Sequence, residues 1–448
     1  MMGRGVAILG GMAVAAWLAT SAAPAGAQSN PIYVPLGQAK GALYKPDSGP
    51  APHVAIFRMH RTANSLSNNV CTELSKRGFM VLCANTRYEN NESQVNFEEM
   101  ALDTKAGVDF LRKQPGITKV ILFGHSGGGP LMSFYEAVAE NGVAFCKDPR
   151  KLTQCGDDLV GFSKADGLIL ADAHPGNPTM VMRGLNPSYL DDTNPPTGRI
   201  DPTLDPFNPT NGYNPNGPSH YSAEFQQRFF AGQATRMQRL IAEALAKRDA
   251  IRVGNYPYPD DDIFLIPGGG NPGAGGVGAV TLYYLDPSIA ALNATHRPEK
   301  LLKNDGTISV QIVHSVAVAN PGVIAHDNRS FHLGTKVFTV RSFLSSNAVR
   351  ASDVVEHVDD CTTNNSTLCA IPKIHIPTLV MGMGGFNLVR DAEHIAELSG
   401  AQDKDMLIVE GAVHDFTPCT ACEKTPGQYA NATKNMFDYI ARWINARY

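Results

Sequence analysis

Gly124-His125-Ser126-Gly127-Gly128 sets one serine among glycines where an apolar run, 119–123 (KVILF), gives way to helix-forming residues, 130–138 (PLMSFYEAV). A serine hydroxyl is a weak nucleophile at neutral pH, so it attacks a carbonyl only when a general base takes its proton. A strand, sharp turn and helix at this point would hold Oγ clear of the backbone, and glycines without Cβ let strand and helix approach closely. The helix start adds unpaired N–H groups and the positive end of a dipole, which makes the Gly127 N–H a candidate oxyanion donor. Imidazole, with an ordinary pKa of about 6.5, is the natural base. Thirteen histidines compete for that role. His125 adjoins the serine on a turn that points successive side chains apart, so it is expected to shape the pocket, and His174 is a rival base.

Positioning such a serine requires a sheet with helices packed on it. The runs 53–59 (HVAIFRM), 79–84 (FMVLCA), 119–123 and 167–171 (GLILA) are rich in Val, Ile, Leu and Phe on both faces, as buried parallel strands are. Helical periods separate them: Leu66, Val70 and Leu74, then Phe97, Ala101, Val108 and Leu111, then Leu131, Tyr135 and Val138. Pro, Asn, Gly and Asp crowd 174–221, after which Ser222 is the expected N-cap of an amphipathic helix bearing Phe230, Ala234, Met237, Ile241 and Leu245. Strand patterns return at 378–381 (TLVM) and 406–409 (MLIV), and Met436, Ile440 and Trp443 mark a closing helix. The fold class is therefore α/β, with a mostly parallel central sheet and a large cap or lid inserted after the run 167–171. The expected divisions are a signal segment at 1–27, core at 28–173, cap at 174–370 and core again at 371–448.

The strand, G-x-S-x-G turn and helix together resemble the α/β-hydrolase superfamily, and the resemblance covers nearly everything outside the signal and the cap. It implies a catalytic base at His414, which ends 408–414 (IVEGAVH) after the last strand, where the superfamily places its histidine. The loop after 378–381, at 382–387 (GMGGFN), has no carboxylate where the superfamily commonly has Asp. The other position in use, the end of the sixth strand in pancreatic-type lipases and platelet-activating-factor acetylhydrolases, corresponds to Asp172 in 170–173 (LADA). The order Ser126, Asp172, His414 is that of the fold. Asp391 and Glu393 are alternative acids. The second oxyanion donor falls by position on Thr62, or failing it Arg61, within 59–62 (MHRT), where Arg61 replaces the usual glycine. His60 and Arg61 otherwise cap the sheet edge or line the pocket.

Composition narrows the partners. Apolar residues make up 43% of 448 and charged residues 18%, enough to bury a large core. A net charge of -4 without a basic run offers no footprint for nucleic acid or an anionic membrane. Arg4, the apolar run 6–19 and Ala25-Gly26-Ala27 have the anatomy of a cleavable export signal with a mature start at Gln28, too short for a stable membrane anchor. In a secreted or periplasmic protein the eight cysteines are expected as disulfides, and proximity pairs Cys71 with Cys83, Cys146 with Cys155, Cys361 with Cys369 and Cys419 with Cys422. Cys419-x-x-Cys422 also matches a redox pair or half a zinc site.

Two other signals carry less. Gly268-x-Gly270-x-x-Gly273 matches a dinucleotide fingerprint, but Pro272 and the absence of a following helix make it a cap loop. Asp260-Asp261-Asp262 lacks the spacing of a calcium loop. Neither a metal nor a cofactor is required. The expected activity is hydrolysis of a carboxylic ester or lactone, a small-molecule or acyl-ester substrate, through an acyl-enzyme. The alternatives are an amidase or acyltransferase on the same residues, or a non-catalytic binding protein of the same fold, and no oligomeric state follows from the sequence. Phe225, Phe229 and Phe230 are expected in the cap core rather than the pocket.

Overall fold

The computed structural model describes residues 30–192, 198–268, 281–317, 335–352 and 357–448. The expected signal at 1–27 lies outside them, as do Gly270 and Gly273 of the glycine loop.

Strands form where the apolar runs lie. An antiparallel hairpin, β1 (Ile32–Leu36) and β2 (Ala39–Tyr44), leads to β3 (Val54–His60), β4 (Met80–Asn85), β5 (Lys119–Ser126) and β6 (Gly167–Ala173). Residues 174–370 add β7 (Ile263–Ile266), β8 (Glu299–Leu302), β9 (Ile308–Gln311), β10 (Lys336–Thr339) and the two-residue β11 (Arg350–Ala351) and β12 (Val358–Asp359). β13 (Thr378–Met383) and β14 (Lys404–Val409) follow. The main sheet has ten strands in the order β1-β2-β4-β3-β5-β6-β13-β14-β8-β9. From β4 to β8 every neighbouring pair is parallel.

Buried parallel strands carry apolar side chains on both faces, and the alternation splits them between two cores. Ala55, Phe57 and Met59 of β3 join the helices α2 (Phe97–Arg112) and α3 (Gly128–Asn141) on one side. Val54 and Ile56 join α1 (Asn69–Ser75) and the closing helix Ala432–Asn445 on the other, through Val70, Leu74, Met436, Ile440 and Trp443.

The insertion opens with α4 (Asn177–Gly184) and holds an apolar cluster of its own. A 30-residue helix, α5 (Ala223–Arg252), is capped by Ser222, whose Oγ accepts the Phe225 N–H at 3.2 Å. It packs Met237, Leu240 and Ile241 against Phe264 of β7 and Phe338 of β10, which pair antiparallel. Phe225 and Phe229 are fully buried in a second cluster with Phe207 and Tyr221, so they are packing residues. The insertion is not wholly a cap, however. β8 pairs with β14 and turns back into β9, extending the main sheet within 174–370. β9 is mostly exposed and β8 buries only Leu301 and Leu302, so neither carries the long apolar run by which the central strands are read.

All four proximity pairs of cysteines are bonded: Cys71 to Cys83, Cys146 to Cys155, Cys361 to Cys369 and Cys419 to Cys422. That leaves the Cys419-x-x-Cys422 pair closed on itself rather than holding a zinc ion. Among the described residues no helix is long and apolar enough to cross a membrane.

Candidate active site

Ser126 ends β5 with φ 55, a left-handed conformation that costs a non-glycine residue energy and survives only where its surroundings enforce it. The enforcement is glycine contact. A Cβ on Gly124 would lie 2.8 Å from the Gly129 Cα, and one on Gly128 would collide with the Met59 carbonyl oxygen. Strand β5 and helix α3 therefore meet as closely as the motif implies, with Gly127 as N-cap of α3 directly after the serine.

Beside it, the β5–β6 register shifts so that Ser126 faces Ala173 and Asp172 is passed over. Asp172 takes φ 46 and is fully buried. One carboxylate oxygen accepts the Met383 N–H from the end of β13 at 3.2 Å, and the other lies 2.5 Å from His414 Nδ1. The end of β13 thus contributes a backbone N–H to a carboxylate on the adjacent strand, where its own loop has no acid. Burial raises the Asp172 pKa, opposed by the His414 contact. Asp391 and Glu393 are not brought to His414. Asp391 is paired with Arg183 at 3.0 Å, and Glu393 accepts the His296 and Arg297 N–H groups and pairs with Arg390.

The His414 ring lies against Phe386, with centroids 4.4 Å apart, and its Nε2 is buried without a hydrogen-bond partner. The expected contact from Ser126 to this nitrogen is not formed. Ser126 Oγ instead lies 3.2 Å from Nε2 of His174, whose ring is stacked with His414 at 5.9 Å. His174 Nδ1 is buried without a partner. A buried N–H left unpaired costs more than a bare lone pair, which favours the tautomer with the proton on Nε2, donated to Ser126. Burial lowers the pKa of His174 well below 6.5, as it does for His60 and His125. His125 Nε2 bonds the His414 carbonyl oxygen at 2.7 Å and so fixes the loop that carries the second imidazole.

The loop after β3 departs from expectation. The N–H groups of Thr62 and Ala63 donate to His60 Nδ1 at 3.1 and 2.8 Å, and the Thr62 hydroxyl bonds Glu92. The Thr62 N–H is therefore already engaged by His60. Arg61, one residue earlier, has its Cβ beside Gly127 and its guanidinium on Glu92.

Ser126, His125 and His414 line a cavity of about 730 Å³ whose far wall is Lys336, Phe338 and Asn347 of the insertion. Arg58 also lines it, a residue the sequence reading passed over. Its signal was available: a charged side chain inside an otherwise apolar strand run is rarely buried without a reason. Among the described residues no group of three or more His, Cys, Asp or Glu could hold a metal ion.

Neither a protein-family model nor a curated protein matches the chain. Solved structures do. Est1E from Butyrivibrio proteoclasticus is 10% identical over 94% of this chain and 99% of its own, with a TM-score of 0.40. The monoacylglycerol lipase of Paleococcus ferrophilus is 11% identical over 91% of this chain and 98% of its own, TM-score 0.38. Brefeldin A esterase, titled a bacterial homologue of human hormone-sensitive lipase, is 12% identical over 91% of this chain and 73% of its own, TM-score 0.39. By its own parallel strands, flanking helices and left-handed serine turn between β5 and α3, the chain has the α/β-hydrolase fold.

Proposed function

We propose that this chain is an exported serine hydrolase that cleaves a carboxylic ester or lactone, with Ser126 as nucleophile, His414 as general base and Asp172 as its orienting acid. The observation that carries this reading is the Asp172–His414 pair, 2.5 Å apart, beside a serine held at φ 55 on the N-terminus of a helix. A proton on His414 Nδ1, shared with Asp172, leaves Nε2 as a bare acceptor in the cavity, which is what a general base needs. The mechanism requires Ser126 to turn about χ1 so that Oγ leaves His174 for that acceptor. During attack His414 takes the hydroxyl proton, then gives it to the leaving alcohol, and water repeats the cycle on the acyl-enzyme. The Gly127 N–H and, with Thr62 engaged, the Arg61 N–H stabilise the oxyanion.

The 3.2 Å contact between Ser126 Oγ and His174 Nε2 favours a second reading, with His174 as base. Against it, no carboxylate holds the His174 Nδ1, and an imidazole kept neutral by burial is a poor proton acceptor. From the insertion, Lys336, Val337 and Phe338 of β10 line the cavity and narrow the space open to the acyl group. Four disulfides support export to an oxidising compartment.

Labelling of the folded protein with a fluorophosphonate, followed by peptide mapping, tests the reading. An adduct on Ser126 that disappears in His414→Ala is expected. Absence of an adduct on folded wild-type protein would favour a non-catalytic binding protein.

A further inference from the structure

Arg58 stands on β3, two residues before His60, on the sheet face that also presents His125 of β5. It is 3% exposed, and its Nε and Nη1 have no hydrogen-bond partner. Buried charges are ordinarily paired, because taking a cation out of water is costly unless an anion or several acceptors replace the hydration. Among the described residues no carboxylate does so. Among the described residues lining the cavity, Arg58, Arg61 and Lys336 face a single acid, Glu92, which is held by Arg61 and the Thr62 hydroxyl. Burial pushes the Arg58 pKa down to about 10, so the group stays charged at neutral pH while lacking a partner.

An unpaired guanidinium lining a cavity that also holds Ser126 offers charge and N–H donors to a carboxylate. We propose that Arg58 binds an anionic group of the substrate, and that the substrate class is an ester bearing a free carboxylate. The proposal rests on the reading of Ser126 as the nucleophile for the hydrolytic part, while binding at Arg58 stands apart from it. The cation does not touch the reacting bond. It orients the ester by its charged end, so that an anionic substrate gains over a neutral one of equal size.

Two pairs of chromogenic esters test this, each an acid and its methyl ester: mono-4-nitrophenyl glutarate with the charge on the acyl side, and 4-acetoxybenzoate with it on the alcohol side. At least one pair should show kcat/KM tenfold or more higher for the acid, and the ratio should fall toward one in Arg58→Met and part of the way in Arg58→Lys. Calorimetric titration of the Ser126→Ala protein with glutarate, against its uncharged diamide, reads the same subsite without turnover. Glutarate should bind at least tenfold tighter, and Arg58→Met should remove the difference. If Arg58→Met does not fold, the wild-type ratios and Arg58→Lys decide. Ratios near one for both ester pairs, with equal binding of glutarate and diamide, would overturn the proposal. Arg58-dependent glutarate binding with no ester turned over would sink the hydrolase reading and leave the subsite standing.

Discussion

Ser126 Oγ lies 3.2 Å from Nε2 of His174, while the imidazole held by Asp172, that of His414, has its Nε2 free. Two stacked histidines thus flank one nucleophile, and only the second has an acid behind it. If His414 is the base, His414→Ala lowers kcat by roughly 10⁴–10⁶-fold, as loss of the base does in comparable triads. His174→Ala removes a hydrogen bond to the resting hydroxyl and lowers kcat by less than about 100-fold. Steady-state rates on a 4-nitrophenyl ester rank the two. A larger loss in His174→Ala would transfer the base to that residue.

The acid is tested in the same assay. Asp172→Asn keeps the shape but no longer fixes the His414 tautomer, and the rate should drop by roughly 10⁴-fold. Asp391→Asn breaks only the pairing with Arg183 and should change it little. Equal effects, or the reverse order, would reject Asp172.

Gly128→Ala asks whether the turn needs its glycines. The new methyl would meet the Met59 carbonyl, a backbone atom that cannot swing aside. The expected cost is about 1–3 kcal/mol of stability, as for overpacked cores, together with loss of fluorophosphonate labelling at Ser126. A variant as stable and reactive as wild type would show the approach of β5 and α3 to be looser than described.

Glu136 carries a pH signature. It is fully buried in α3, accepts the Ala165 N–H at 2.9 Å, and burial pushes its pKa up to about 8. Between about pH 4.5 and 8 the folded chain holds a proton that the unfolded chain has released, so this group's contribution to stability is lost as pH rises through that window. Glu136→Gln cannot titrate. Its stability relative to wild type should therefore grow with pH, by at most about 1.4 kcal/mol per unit, and level off above about pH 8. Urea denaturation of both proteins at pH 5.5, 7 and 8.5 gives the difference directly. A difference independent of pH would mean Glu136 is ionised in the fold.

Much of this molecule is local in origin. The central strands β3, β5, β6, β13 and β14 announce themselves as apolar runs, because strands buried on both faces admit little else. The serine turn is legible because glycine is the residue that permits its close contacts. Short loops made the four disulfides readable from spacing, since neighbours in sequence are the first partners a folding chain can reach.

What sequence could not carry is long-range and directional. Asp172 and His414 are 242 residues apart, and only the pairing of β6 with β13 and β13 with β14 brings the carboxylate to the ring. The choice of His174 as the resting partner of Ser126, the turning of the Thr62 N–H onto His60, the return of β8 and β9 to the sheet, and the unpaired charge of Arg58 are all of this kind. Each depends on where a side chain or N–H points once distant segments have packed, and residue type and spacing along the chain do not contain that angle.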